Sequence, residues 1–150
     1  MSLKQKLQSD LNEAIKSRNT VSAETIRMIL AAITNEEVAG KEKKELSDAE
    51  VITVLTREAK KRREAAEAFE NGGRADRAAA ERAEGEVIAG YLPEQLSEDD
   101  IKKLIAETIA AVGATGPSDM GKVMGGLKAK VVGKADGALV SSLVKEALNK

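Results

Sequence analysis

Tyr91-Leu92-Pro93-Glu94-Gln95-Leu96-Ser97-Glu98-Asp99-Asp100 is the stretch that decides how this chain folds. Pro93 is one of only two prolines in 150 residues, the other being Pro117. A proline lacks the N–H of a helix interior and pushes the residue before it out of the α region, so a helix arriving at Tyr91 ends there. Ser97 then caps a new helix, with three acids in its first turn where the helix dipole favours negative charge. The chain reads as two helical parts, a four-helix domain over 1–92 and a small three-helix bundle over 93–150.

Upstream of the break, Ser2 and Gln5 have the spacing of a capping box. Leu3, Leu7, Leu11 and Ile15 follow at i, i+4 as one narrow apolar stripe. After a break at Arg18-Asn19-Thr20, a second helix starts near Val21 with Ile26, Ile29, Leu30 and Ile33 inward, and fades at Ala39-Gly40. Ser47 and Glu50 form another capping box. The third helix is predicted to bury Val51, Ile52, Leu55, Ala59, Ala66 and Phe69 and to stop at Asn71-Gly72-Gly73. The fourth spans about Ala75 to Tyr91, with Gly85 and Gly90 inside it at up to about 1 kcal/mol each relative to alanine.

Downstream, the fifth helix turns Ile101, Leu104, Ile105 and Ile109 inward. Ser118 or Asp119 opens the sixth, with Met120, Val123, Met124, Leu127 and Val131 as its apolar face and Gly133 closing it. Asp136 caps the seventh, striped by Leu139, Val140, Leu143, Val144 and Leu148. Strand-like alternation is missing throughout, so the fold class is all-α.

Composition narrows the chemistry. Cysteine and histidine are both absent, which removes disulfides, thiolate metal sites, imidazole proton shuttles and the commonest zinc ligand. Phe69 and Tyr91 are the only aromatics, so the core rests on aliphatic side chains. The net charge of −1 provides no global field to draw in nucleic acid or membrane. The start of the chain has no apolar signal core, and no apolar run approaches the roughly 20 residues that span a bilayer. A cytoplasmic protein with no membrane partner is the expectation.

No catalytic constellation emerges. The glycines and lysines of 121–135 fail the phosphate-loop spacing, and Ala135 stands where a hydroxyl is needed. Glu98-Asp99-Asp100 reads as helix-terminus acids rather than a metal cluster. Neither a metal nor a cofactor is expected. Two basic clusters remain. Arg57, Lys60, Lys61, Arg62 and Arg63 lie among acids on the third helix, where a salt-bridged, solvated face is the plain reading and Glu58 with Arg62 is the supportive i, i+4 pair. Lys122, Lys128, Lys130 and Lys134 lie in the tail, with Lys145 and Lys150 beyond. From Ser118 to Lys150 there are six basic residues against three acids, Asp119, Asp136 and Glu146. Such lysines either complement helix dipoles or contact phosphates, with Gly125, Gly126 and Gly133 allowing close backbone approach and turn amides donating. With no aromatic in the tail to stack bases, RNA contact would be to backbone and shape.

Tyr91-Leu92-Pro93-Glu94-Gln95-Leu96, Asp119-Met120-Gly121-Lys122-Val123-Met124 and Gly133-Lys134-Ala135-Asp136-Gly137 resemble the signature segments of the YqeY family, in order and over the full length. Lys60-Lys61-Arg62-Arg63, Phe69 and Gly73-Arg74 are similar to that family too, with Ala65 standing where a serine is expected. The family's C-terminal part resembles the tail domain of GatB, the amidotransferase subunit acting on misacylated tRNA. There the tail engages tRNA, while other domains hold ATP and perform the transfer. The resemblance implies a non-catalytic accessory protein that binds tRNA or associates with an amidotransferase or another translation-related protein. A protein–protein adapter is the alternative. Carbon–nitrogen ligase activity with glutamine as amido-N-donor is implied by the family resemblance alone.

Overall fold

The computed structural model describes residues 1–149; Lys150 lies outside them. Seven α-helices are present among the described residues: α1 (Leu3–Lys16), α2 (Thr20–Glu37), α3 (Asp48–Asn71), α4 (Ala75–Ala89), α5 (Glu98–Val112), α6 (Met120–Val131) and α7 (Gly137–Leu148). A single 3-10 turn, Pro117–Asp119, leads into α6, and the described residues contain no strand. The chain forms two compact units, Met1–Leu92 and Pro93–Lys150.

Local chemistry sets the helix starts. Ser2 with Gln5, Ser47 with Glu50 and Ser97 with Asp100 all form complete capping boxes. At the α1–α2 corner Arg18 adopts a φ of 58°, a conformation usually left to glycine, while the Asn19 amide donates to the Ala14 carbonyl at 2.9 Å. Gly73 and Gly113 take positive φ after α3 and α5, at 77° and 68°. Gly90 is the residue capping α4 rather than an interior position, because the helix ends at Ala89. Gly85 is interior, and a Cβ there would meet the Arg62 Cβ at an ordinary 3.8 Å. Gly85→Ala should therefore stabilise the N-terminal unit by up to about 1 kcal/mol, read as a raised urea midpoint; a lowered midpoint would mean the α3–α4 contact is tighter than this distance.

In the N-terminal unit, Leu7 of α1, Ile29 and Ile33 of α2, Val51 and Leu55 of α3 and Ile88 of α4 are completely buried. Several positions depart from the sequence expectation. Ile15 is 47 % exposed because an i, i+4 stripe drifts around a helix, by about 120° from Leu3 to Ile15; Ala14 faces inward instead. On α3, Val54 and Glu58 are buried whereas Ile52, Ala59 and Phe69 are only half-buried. Leu139 is 39 % exposed, since Val140, Leu143, Val144 and Leu148 already fill the inner face of α7. The core of the C-terminal unit joins those α7 side chains to Ile101 and Ile105 of α5 and to Val123, Leu127 and Val131 of α6.

Candidate nucleic-acid interface

The tail lysines are carried by α6 and the turn after it. That turn is held from outside its own helix. The Leu96 amide donates to the Lys134 carbonyl at 2.8 Å, and the Gln95 side-chain amide donates to the Gly133 carbonyl at 2.7 Å. The segment following Pro93 thereby braces the Gly133-Lys134 turn, where Gly133 is buried with a φ of 73°. The amides of Lys134 and Ala135 donate to the Val131 carbonyl at 2.9 and 3.1 Å. They are consequently spent inside the turn, which corrects the idea that they face a phosphate. Asp119 behaves similarly. Its carboxylate accepts from the Thr115 amide at 2.8 Å and makes no cap bond to α6. That bond is the main reason its pKa lies below the ordinary aspartate value.

The three glycines of α6 have different surroundings. A Cβ on Gly126 would come within 2.8 Å of Thr108 Cγ2, so this glycine exists for the close packing of α6 on α5. Thr108 is buried and its hydroxyl donates to the Leu104 carbonyl at 2.8 Å, leaving it little room to move. Gly121 and Gly125 have nothing within 4 Å of a would-be Cβ. Four residues apart, they share one exposed face with Ala129, opposite the buried Val123, Leu127 and Val131. Each costs helix stability, up to about 1 kcal/mol, with no packing in return.

Lys122 and Lys128 flank that small-residue face, about 60° to either side of it. Lys122 is 70 % exposed and stands 3.9 Å from Asp119, too far for a hydrogen bond. Lys128, Lys130 and Lys134 are exposed, with no carboxylate in ion-pairing range among the described residues. They do not converge on one point: Lys128 and Lys130, two residues apart, project from nearly opposite sides of α6. So spaced, they form no single anion site.

Beside Lys128 runs an apolar groove of about 400 Å³ between α6 and α7, lined by Met124, Leu127, Val131, Val132 and Val140. Val132 is 47 % exposed. A second groove of about 370 Å³, between α5 and α7, carries both Lys102 and Glu146 on its lining and is balanced in charge.

The basic cluster of α3 is engaged within its own unit. Arg57 pairs with Glu36 at 3.3 Å, and Lys61 with Glu58 at 3.3 Å. Arg62 reaches Glu81 at 3.1 Å and Glu84 at 3.4 Å on α4, so it is not the partner of Glu58 that the helical spacing suggests. Lys60 and Arg63 also have interactions of their own. Arg57, Lys61 and Arg62 are thus tied to acids on α2, α3 and α4.

Two further groups matter to the N-terminal unit and gave no local signal in the sequence. Glu37, at the C-terminal end of α2 where the dipole disfavours an acid, is only 3 % exposed. Its carboxylate accepts from Lys4 Nζ at 2.8 Å and from the Leu46 amide at 3.2 Å, which hold its pKa below the usual glutamate value. Tyr91 donates its hydroxyl to Asp10 at 2.6 Å, with the Lys6 ammonium 5.5 Å from its ring centre. Burial, then the carboxylate, pushes the phenol pKa up, so it remains a neutral donor.

No cluster of carboxylates suited to a metal ion occurs among the described residues, and no helix among them is long and apolar enough to cross a membrane. The fold and surface define an all-helical protein of two units whose C-terminal one presents a lysine-flanked glycine face. A family model described as Yqey-like protein matches residues 4–148, and the chain belongs to that family. It is 30 % identical over 145 residues to "Altered inheritance of mitochondria protein 41, mitochondrial" of Pyrenophora tritici-repentis (strain Pt-1C-BFP), a match covering 94 % of this chain and 78 % of the relative.

Proposed function

We propose that this chain is a non-catalytic accessory protein of the cytoplasm that binds tRNA, or an amidotransferase assembly carrying tRNA, through its C-terminal unit. The observation that carries the reading is the outward face of α6. Gly121 and Gly125 leave the helix surface bare where no part of the unit fills the space, and Lys122 and Lys128 stand on both sides. A nucleic-acid backbone can lie close to such a surface with phosphates within reach of both ammonium groups. Lys130, on the far side of α6 from Lys128, and Lys134, in the turn after the helix, would meet phosphates beyond this face rather than along it. The resemblance of the tail to that of GatB supports the same reading.

The test is tRNA binding as a function of salt. Wild type should bind at low salt with an affinity falling linearly on a double-logarithmic plot. Lys122→Glu/Lys128→Glu should weaken binding by about tenfold or more and flatten that slope. Gly121→Ala/Gly125→Ala should raise helix stability yet weaken binding, because the methyl groups occupy the surface the backbone needs. Equal affinity for all three proteins, or no binding by wild type at low salt, would sink the proposal.

A protein–protein adapter is the second reading, favoured by the apolar α6–α7 groove and the exposed Val132 at its edge. Carbon–nitrogen ligase activity would show as glutamine- and ATP-dependent turnover by the purified chain.

A further inference from the structure

The adapter reading can be taken to a definite occupant. The α6–α7 groove is about 400 Å³, within the range of about 300–1,000 Å³ typical of ligand-holding clefts. Its floor and walls are aliphatic: Met124, Leu127, Val131, Val132 and Val140. Val132 directly follows α6 and is 47 % exposed, far more than the side chains packed in the core of the same unit. The single ionisable side chain lining the groove is Lys128, a cation with no carboxylate in range among the described residues. Lys130, on nearly the opposite side of α6, is not part of that lining. The groove is thus apolar inside with one cation, Lys128, on its lining and no acid among the lining side chains; Asp136, between the lining residues Ala135 and Gly137, is engaged by the Ala138 amide at the start of α7.

We propose that this groove binds an amphipathic helix of a partner protein, with leucine-like side chains on one face and acidic residues flanking them. The geometry favours a helix. The walls are two helices, and a third laid in the cleft between them buries apolar side chains on ridges and grooves of matching pitch, converting the three-helix bundle locally into a four-helix one. Charge complementarity selects the acidic kind: a carboxylate beside the incoming apolar stripe meets Lys128, whereas a basic helix meets an unshielded like charge. The α5–α7 groove lacks this selectivity, because Lys102 and Glu146 present both signs.

This inference rests on the adapter reading; the groove shares Gly125 and Lys128 with the proposed tRNA face, and the two readings are told apart at Val132, which offers nothing to a phosphate, and at Lys122, which does not line the groove. The probe is a labelled helix-forming peptide with leucines at i, i+3, i+4 and i+7 and glutamates on its remaining faces, compared with a version in which every glutamate is lysine. Fluorescence anisotropy with the full chain should show saturable binding of the acidic peptide and none of the basic one. Val132→Asn should weaken peptide binding by about tenfold while leaving tRNA affinity unchanged. Lys122→Glu should do the reverse, and Lys128→Glu should weaken both. Equal binding of the two peptides, or peptide affinity indifferent to Val132→Asn, would overturn the proposal. It would equally be overturned if Val132→Asn dissociated a dimer of this chain in sedimentation, which would make a second copy the occupant, or if it abolished tRNA binding.

Discussion

Leu127→Ala should unfold the C-terminal unit while the N-terminal one stays native. Leu127 is completely buried at the centre of a core drawn from all three tail helices. Removing a fully buried leucine side chain costs about 2–5 kcal/mol, part from lost transfer energy and part from the cavity left behind. A unit of about 60 residues has little to spare, since small domains bury only about 60 % of their unfolded surface and are stable by several kcal/mol at most. The N-terminal unit has its own buried cluster, built around Leu7, Ile29, Ile33 and Leu55, and Leu127 is no part of it. In a two-dimensional amide NMR spectrum of the full chain, resonances from 98–148 should collapse to random-coil positions while those from 3–89 keep their dispersion. Loss of dispersion in both sets would show the two units to be one cooperative system. If the proposed function holds, tRNA affinity should fall with the tail, because the spacing of Lys122 and Lys128 exists only while α6 is a helix.

Arg62→Ala should have the second largest effect, and it should appear in α4. That helix is a weak element by pattern: it is rich in alanine and charge, and its buried residues are only Ala78 and Ile88. Arg62, 20 % exposed, reaches from α3 to both Glu81 and Glu84. Truncating it removes two charge-assisted bonds and leaves two neighbouring carboxylates, three residues apart on one helix face, without their shared cation. A cost of about 1–3 kcal/mol is expected, between that of an exposed pair and that of a fully buried one. Hydrogen exchange should show α4 losing protection well before α3. Glu81→Gln/Glu84→Gln in the same background should restore part of the loss by removing the repulsion. Unchanged exchange in α4 would mean that Ala78 and Ile88 hold the helix unaided.

Arg62 also shows where sequence reading reaches its limit. Helical periodicity offered Glu58 as its partner, because a single helix can be judged only against itself. The observed partners lie on the next helix, and Glu58, itself only 5 % exposed, pairs with Lys61 instead. Membership of the basic clusters was readable from residue type; their availability was not. The tail cluster remains open to solvent, whereas the α3 cluster is held by acids on α2, α3 and α4. The tail's glycines divide likewise. Gly125, Gly126 and Gly133 stood equal in the sequence as places for close backbone approach, yet Gly126 is pressed on Thr108, Gly133 is a buried left-handed turn and only Gly125 faces open space.

What the sequence determined by itself was whatever depends on residues a few positions apart. Three capping boxes start α1, α3 and α5, Gly73 and Gly113 end α3 and α5 in the left-handed region, and the all-helical class follows from apolar spacing without alternation. These are short-range interactions, decided within one or two turns of chain. Tertiary structure alone decided what depends on residues brought together from afar. The Glu37 carboxylate is shared between Lys4 and Leu46, Tyr91 is tied to Asp10, and Gln95 and Leu96 brace the Gly133-Lys134 turn. The bare, lysine-flanked face of α6 belongs to the same group. A glycine's neighbours and a lysine's missing partner are properties of packing, and packing is set by which helix faces meet, which no local pattern contains.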